Sequence, residues 1–188
     1  MNTSKNRTAI ILSGGKSSRM GIDKGLLLLN GKPMIQYVID VVTPLVDEVI
    51  IISNQIEYQR FGLPVYEDLI KDAGPLAGIY TGLKYSKHDK NIVVSCDVPF
   101  ISEKLFQYLI NFCTNYDVTI PIKNNKTHQV IGIYDKKCIP IFKNELDNNQ
   151  RKMKVALEKI NLNIVDANQF DEKEFTNINT STELKNIA

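Results

Sequence analysis

A glycine-rich stretch near the start of the chain carries the residue types that bind a polyphosphate. The apolar run Ala9–Leu12 leads into Ser13-Gly14-Gly15, and Arg19 and Lys24 follow shortly afterwards. Glycine lets backbone N–H groups approach a ligand closely, and a guanidinium and an ammonium add donors that match phosphate oxygens. The stretch therefore predicts a phosphate-binding loop after a buried strand, with a glycine-rich surface turn as the structural alternative.

Two familiar phosphate-binding motifs do not fit this stretch. A P-loop needs the order Gly-x-x-x-x-Gly-Lys, and here Arg19 or Met20 stands where the second glycine would be. A dinucleotide-binding Gly-x-Gly-x-x-Gly motif is absent as well, because Gly14 and Gly15 are adjacent. If this loop binds phosphate, it must do so in an arrangement other than these two motifs.

Polar side chains also follow other predicted strands. Asn54, Asp68 and Asp97 each stand at the end of an apolar or extended run. Ligands of open α/β sheets bind at the carboxyl ends of the strands, and Mg²⁺ prefers carboxylate, phosphate and water oxygens. Asp97 is therefore the candidate magnesium ligand, and the structural alternative is that it starts the turn before Pro99.

Strand and helix patterns alternate along the chain. The predicted strands are Ala9–Leu12, Asp47–Asn54, Val65–Asp68, Asn91–Cys96, Asp117–Ile122, His128–Tyr134 and Asn163–Val165. Helical patterns cover Pro33–Pro44, Gln55–Phe61, Gly74–Ser86, Ser102–Cys113 and Ile139–Ile160, and a capping box over Thr180–Glu183 predicts a C-terminal helix. This alternation predicts a three-layer αβα sandwich, Rossmann-like, with a mainly parallel sheet. The loop at 123–127 is too short for a parallel crossover, so some antiparallel pairing is expected.

Composition narrows the function classes. A formal charge of +2 argues against a general nucleic-acid-binding protein, and a hydrophobic content of 43% suits one globular domain spanning 1–188. Apolar runs are too short to span a bilayer, and the N-terminus lacks the apolar core of a signal peptide. Because Cys96, Cys113 and Cys138 form no CxxC or Cys/His pattern, we expect a cytoplasmic protein without disulfides or structural zinc.

The segment LSGGKSSRMG, which runs from Leu12 to Gly21, resembles the signature of sugar-phosphate and cofactor nucleotidyltransferases when it is read together with Asp23-Lys24. Within that superfamily the chain looks most like the molybdenum cofactor guanylyltransferases, which couple GTP to molybdopterin and release pyrophosphate. The segment Gly74-Pro75-Leu76-Ala77-Gly78 matches this family rather than its cytidylyl relatives. The resemblance covers nearly the whole chain and implies a nucleotide-diphospho-sugar transferase-like fold.

The resemblance also implies roles for individual residues. Catalytic roles fall on Arg19, Lys24 and Asp97, and the Asp97-x-Pro99 motif supplies the Mg²⁺ ligand. The implied nucleotide-binding residues are Leu12, Ser13, Gly14, Gly15, Lys24, Asn54, Asp68 and Asp97. Asn177 and Asn179 match a segment that faces the pterin acceptor. Two acceptor-side positions depart from the family pattern: His128-Gln129 stands for His-Pro, and Ser181 stands for a proline.

The implied substrates are GTP and molybdenum-bound molybdopterin, with Mg²⁺ as cofactor. Transient contacts with proteins that deliver molybdopterin and with molybdoenzymes are implied as well, whereas nucleic acids and membranes are not. Two alternatives stay open: cytidylyl or sugar-phosphate nucleotidyl transfer on the same fold, and a non-catalytic nucleotide-binding carrier.

Overall fold

The regular elements follow the alternation of apolar runs and amphipathic patterns. The computed structural model describes residues 5–14, 23–178 and 183. The strands are β1 (Arg7–Leu12), β2 (Leu28–Leu29), β3 (Lys32–Pro33), β4 (Glu48–Ile52), β5 (Val65–Tyr66), β6 (Lys90–Ser95), β7 (Val118–Lys123), β8 (Lys126–Thr127), β9 (Ile131–Asp135) and β10 (Leu162–Asp166). The α-helices are α1 (Met34–Val42), α2 (Gly74–Tyr85), α3 (Glu103–Asn111), α4 (Ile139–Asp147) and α5 (Met153–Leu157). Short 3₁₀ helices cover Lys24–Leu26, Thr43–Leu45, Ile56–Phe61, Lys136–Cys138 and Glu172–Phe175.

A mainly parallel sheet forms the centre of the molecule. Its order is β10-β7-β9-β6-β1-β4-β5, with β8 paired to β7, and β2 and β3 form a separate hairpin. Strand β1 is parallel to both β4 and β6, whereas β9 is antiparallel to both β6 and β7. The predicted mainly parallel sheet with some antiparallel pairing is therefore confirmed.

Alternate residues of β1 enter two separate cores. Ala9 and Ile11 pack in the cluster that contains the buried residues of α1 and α3. Ile10 and Leu12 pack in the cluster that contains those of α2, α4 and α5. A strand covered on both faces is a continuous apolar run rather than an alternating one, and the two cores confirm the three-layer sandwich.

The region between β7 and β9 differs from the sequence prediction. The strand predicted over His128–Tyr134 begins only at Ile131. The polar loop at 123–127 is a tight β7–β8 hairpin whose turn residues, Asn124 and Asn125, have φ values of 49° and 61°. Asparagine tolerates this left-handed backbone, so the turn can be short. His128 is thereby placed in an irregular segment beside the hairpin.

Helix termini mostly agree with the predictions. The Ser102 hydroxyl accepts a 3.3 Å hydrogen bond from the Leu105 N–H and caps α3, while Gly62, with φ of 69°, closes the 3₁₀ helix Ile56–Phe61. Helix α1 ends at Val42, and the 3₁₀ helix that follows contains Pro44. Among the described residues, no helix is long and apolar enough to cross a membrane.

Candidate active site

The parallel strands deliver several of the predicted site residues to one edge of the sheet. Gly14 follows β1, Asn54 follows β4, Asp68 follows β5 and Asp97 follows β6. The backbone continues to pair just beyond the strands, because Ser13 N–H donates to Ile52 C=O at 2.9 Å and Cys96 N–H donates to Leu12 C=O at 3.0 Å. The carboxyl ends of these strands therefore form one contiguous surface.

Asn54 and Asp68 form a reciprocal pair on this surface. The Asp68 backbone N–H donates to Asn54 Oδ1 at 3.0 Å, and Asn54 Nδ2 donates to Asp68 Oδ2 at 3.3 Å. A Cβ atom placed on Gly14 would lie 4.0 Å from Asp68 Oδ2, and one on Gly78 would lie 3.6 Å from Oδ1. The glycines thus keep the space around this carboxyl group open.

Asp68 retains an unused hydrogen-bonding position. Its Oδ1 atom is buried and has no partner within the described part of the chain. Burial raises the pKa of the Asp68 carboxyl, and the hydrogen bond from Asn54 opposes that rise. A buried acceptor without a partner costs free energy, so a ligand that donates a hydrogen bond here would be favoured.

Asp97 is held by contacts that leave its charge without an ion pair. Oδ1 accepts a 2.6 Å hydrogen bond from Ser95 Oγ, and Oδ2 lies 3.5 Å from Asn177 Nδ2. The Asp97 carbonyl also accepts a 2.9 Å hydrogen bond from the Ile178 N–H. Although Asp97 is only 8% exposed, no lysine or arginine in the described ranges forms an ion pair with it.

This environment fits a site for a divalent cation completed by the substrate. The described residues contain no group of three or more His, Cys, Asp or Glu side chains that could hold a metal ion. Mg²⁺ needs no such group, since it commonly takes one or two carboxylates and completes its shell with phosphate oxygens and water. A single oriented carboxylate with no cationic partner among the described residues, as at Asp97, suits that mode.

The 3₁₀ helix Lys24–Leu26 is fixed by the residue before it. One carboxyl oxygen of Asp23, Oδ1, accepts a 3.1 Å hydrogen bond from the Gly25 N–H and a second hydrogen bond from the Tyr58 hydroxyl. Asp23 and Tyr58 are 8% and 0% exposed. The backbone that carries Lys24 is therefore tied to a buried network.

Gly25 places this turn against the ends of two central strands. A Cβ atom on Gly25 would lie 2.5 Å from the Tyr58 hydroxyl, 3.0 Å from Cys96 Sγ and 3.1 Å from Ser13 Oγ. In sequence, Ser13 directly precedes Gly14, and Cys96 directly precedes Asp97, the candidate metal ligand. Lys24 thus belongs to a turn packed between those two parts of the site.

A cavity of about 470 Å³ opens beside Asn177 on the side of β7 and β8. It is lined by Lys123, Asn124, Lys126, His128, Glu172, Phe175, Thr176 and Asn177. The His128 ring lies 4.7 Å from the Phe175 ring. Burial, with a smaller effect of Lys126, lowers the pKa of His128 to about 4, so the imidazole is neutral at pH 7.

The C-terminal segment beside this cavity is anchored by Ile178. Ile178 is fully buried and packs in a small cluster with Leu29 of β2 and Met34 of α1. Because its N–H also bonds to the Asp97 carbonyl, the preceding Asn177 is held between the cavity and the metal-ligand candidate.

The predicted site residues that fall in the described ranges lie mostly at one edge of the sheet, whereas others fall outside those ranges. Gly15, Arg19 and Asn179 fall outside the described residues, as does the Thr180 cap. Asp23 and Tyr58 were not predicted as site residues. Tyr58 gives no sequence signal, because a tyrosine in a helical pattern looks like any other partly apolar core residue.

The fold and the site together define a class. A three-layer αβα sandwich with a mainly parallel sheet, with Gly14 and carboxylates at the carboxyl edge of that sheet and a lysine on an adjoining turn, fits the class of α/β nucleotide-binding enzymes. Residues 9–162 match the family model of the MobA-like NTP transferase domain. The chain belongs to that family.

Similar proteins cover the chain almost completely. It is 39% identical to a probable molybdenum cofactor guanylyltransferase of Flavobacterium johnsoniae, over 96% of this chain and 95% of that protein. It is 36% identical to the molybdenum cofactor guanylyltransferase of Vibrio vulnificus, with coverages of 93% and 91%. The crystal structure of molybdopterin-guanine dinucleotide biosynthesis protein A from Archaeoglobus fulgidus, 24% identical, superposes with a TM-score of 0.80 over 95% of each chain and confirms the fold.

The neutral state of His128 predicts a pH dependence of stability. Its folded pKa of about 4 lies below the ordinary value of 6.5, so the unfolded chain binds a proton first as the pH falls. This histidine therefore removes stability between pH 6.5 and pH 4, and none above that window. In His128→Gln, urea unfolding at pH 7 and pH 4.5 should show a smaller loss of unfolding free energy than in the wild type.

The other histidine of the chain, His88, provides the matched control. A change of the same size in His88→Gln would show that the effect does not come from the cavity. An unchanged acid-side loss in His128→Gln would contradict a neutral, half-buried imidazole at position 128.

Proposed function

We propose that the protein is a molybdenum cofactor guanylyltransferase, which transfers GMP from GTP to the terminal phosphate of molybdenum-bound molybdopterin and releases pyrophosphate. The observation that carries this proposal is the position of Asp97 between two regions of different character. Asp97 follows β6, which lies between β1, the strand that leads to Gly14, and β9 in the sheet, and the cavity lined by Asn177 is on the β7 and β8 side. The names of the relatives supply the nucleotide and the acceptor.

The nucleotide would lie along the carboxyl ends of β1, β4 and β5. The Gly14 backbone N–H would face its phosphates, with Gly15 next in sequence, and the Lys24 ammonium would neutralise them. Leu12 and Ser13 would form the floor beneath them, because the Ser13 N–H and the Leu12 C=O are committed to hydrogen bonds of the sheet. The open Oδ1 of Asp68 offers an acceptor to a hydroxyl or amino group of the nucleoside. Asn54 orients that carboxyl group through its two hydrogen bonds and lies beside it at the edge of the sheet.

Asp97 would hold Mg²⁺, which neutralises developing charge on the phosphates when it is bound. The reaction itself is an in-line displacement. An oxygen of the acceptor phosphate forms a bond to the α-phosphorus of GTP, the bond to the pyrophosphate oxygen breaks, and pyrophosphate leaves with that electron pair. The acceptor phosphate is already ionised at neutral pH, so no general base is required. Positioning and charge neutralisation by Lys24, with Arg19 in the same role, would carry the catalysis.

The acceptor would occupy the cavity beside Asn177. Lys126 faces a phosphate-bearing ligand there with a positive charge, while the neutral His128 and the carboxamide of Asn177 suit a pterin edge with alternating donors and acceptors. Asn179 would extend this set. Entry from this side would bring the acceptor phosphate toward Asp97 from the β7 and β8 side of the sheet, whereas the nucleotide would approach from the β1 side.

The activity is tested by pyrophosphate release with each nucleoside triphosphate in the presence of Mg²⁺ and molybdopterin. We expect release with GTP, dependence on the acceptor, and a product with the mass of the guanine dinucleotide. In Asp97→Asn, turnover should fall by roughly three orders of magnitude or more, because the amide keeps the shape but loses the charge that binds the cation.

Asp147→Asn is the matched control, since Asp147 is exposed on α4 in an ion pair with Lys143. Comparable release with CTP would favour cytidylyl transfer, and GTP binding without any release would favour a non-catalytic carrier. Wild-type turnover in a folded Asp97→Asn variant would exclude Asp97 as the metal ligand.

Lys24→Ala should weaken GTP binding much more than guanosine binding. An ammonium that bonds phosphate oxygens contributes about 1.5–3 kcal/mol, which corresponds to a loss of about tenfold to a hundredfold in affinity. Isothermal calorimetry with GTP and guanosine measures the difference. Lys154→Ala on α5 is the control, and equal losses for both ligands in Lys24→Ala would refute a phosphate-binding role.

Lys126→Ala should raise the KM for molybdopterin by about threefold to tenfold and leave the GTP affinity unchanged. The expected size is that of one solvent-exposed charge–phosphate contact. Lys154→Ala again controls for the loss of one surface cation. If Lys126→Ala changed GTP affinity instead, the cavity would belong to the nucleotide side of the site.

A further inference from the structure

A buried polar network lies beneath the turn that carries Lys24. Its members come from separate parts of the chain: Asp23 precedes the turn, and Tyr58 belongs to the 3₁₀ helix Ile56–Phe61 behind β4. Both side chains are nearly or fully buried, with 8% and 0% exposure. A buried carboxyl group is tolerated when donors surround it, and here the two donors converge on one oxygen, Oδ1.

The two hydrogen bonds tie the residues on either side of Lys24 to each other and to Tyr58. The Asp23 side chain reaches past Lys24 to the Gly25 N–H at 3.1 Å, which is the geometry of an Asx turn. The direction in which the Lys24 side chain leaves the backbone therefore depends on the rotamer of Asp23. The Tyr58 hydroxyl fixes that rotamer from behind, because it donates to the same oxygen.

Tyr58 is suited to this task by its surroundings. Its ring packs in the core between the sheet and α1, with the Phe61 ring centroid 6.1 Å away. Burial, followed by the proximity of Cys96 and the hydrogen bond to Asp23, raises its pKa above the ordinary value. The hydroxyl accordingly remains protonated and acts as a donor to Asp23.

We propose that Tyr58 is a positioning residue, which sets the direction of the Lys24 ammonium toward the triphosphate through the Asp23 carboxyl group. This inference rests on the phosphate-binding role of Lys24 proposed above. It also links the two ends of the proposed nucleotide site, because the 3₁₀ helix that carries Tyr58 begins two residues after Asn54. Ordering of Asn54 beside a bound nucleoside would thus also favour ordering of the turn that carries Lys24.

A double-mutant cycle between Tyr58→Phe and Lys24→Ala tests the proposal. The phenylalanine keeps the ring and removes the hydroxyl. Affinities for GTP and for guanosine are measured by calorimetry in the wild type, both single variants and the double variant. We expect Tyr58→Phe to weaken GTP binding by about threefold to tenfold, the scale of one hydrogen bond, and guanosine binding by about twofold or less. In the Lys24→Ala background, Tyr58→Phe should cost about twofold or less.

Tyr134→Phe is the matched control. Tyr134 is also 0% exposed, and its hydroxyl donates to a backbone carbonyl, that of Gln129. It lies in the other core, on the opposite face of the sheet. Its loss of thermal stability should resemble that of Tyr58→Phe, whereas its GTP affinity should remain that of the wild type.

The outcomes separate this proposal from the function on which it rests. A loss in Tyr58→Phe that is equal for GTP and guanosine, or that persists in full without the Lys24 amine, would overturn the positioning role and leave only a structural one. Selective weakening of GTP by Lys24→Ala without any effect of Tyr58→Phe would overturn the positioning role and keep the proposed function. An unselective Lys24→Ala would overturn the proposed role of Lys24 and the inference with it.

Substitution of Asp23 tests the same link from its other end. Asp23→Asn keeps an oxygen that can accept from both the Gly25 N–H and the Tyr58 hydroxyl, so GTP affinity should stay within about threefold of the wild type. Asp23→Ala removes that oxygen and should reproduce or exceed the GTP-specific loss of Tyr58→Phe. Equal GTP affinities in Asp23→Asn and Asp23→Ala would contradict the proposal even if Tyr58→Phe failed to fold.

Discussion

The parallel register of β1 with both of its neighbours is the constraint on which the site depends. Leu12 is paired with Ile52 on β4 and with Ser95 on β6, so the three strands end at the same level. Parallel strands place their carboxyl ends at one edge, and here that edge receives Gly14, Asn54 and Asp97 at once. A slip of one residue in β1 would exchange its two buried faces, which differ because Ile10 and Leu12 contact one layer of helices and Ile11 the other.

The two carboxyl groups at this edge are adapted to different partners. Asp68 shares one oxygen with the amide of Asn54 and keeps the other buried without a partner in the described part of the chain. That arrangement favours a neutral donor on a ligand, and the raised pKa of the carboxyl agrees with it. Asp97 accepts from a hydroxyl and from an amide at longer range, which orients it without neutralising its charge. The first environment suits a nucleoside and the second suits a cation.

The sequence was sufficient for features that depend on local pattern. Apolar runs ending in polar residues identified β1, β4 and β6, and Ser102 was recognised as a cap because capping uses neighbouring backbone groups. The predicted strand starting at His128 was too long, since an apolar alternation cannot reveal that the Asn124-Asn125 turn closes a separate hairpin first. Contacts between residues that are far apart in the sequence could not be predicted, for a similar reason. The bond from Tyr58 to Asp23 joins residues 35 positions apart, and nothing in either local pattern specifies the other.

The chemistry of the acceptor explains why the site needs so few titratable groups. A hydroxyl nucleophile would require a base near Asp97, and the nearest imidazole candidate, His128, is instead packed against Phe175 in the cavity wall. A phosphate nucleophile arrives already ionised, so the site does not need a group that accepts a proton. It needs groups that neutralise negative charge on both substrates. The backbone at Lys24 is tied to a buried network at the proposed nucleotide end, whereas Lys126 lies exposed at the rim of the proposed acceptor cavity. A cation on a fixed backbone suits a triphosphate whose reacting phosphorus must be aligned, and an exposed cation suits the capture of an incoming anion. The difference in burial between these two turns is therefore what the proposed division between donor and acceptor sides requires.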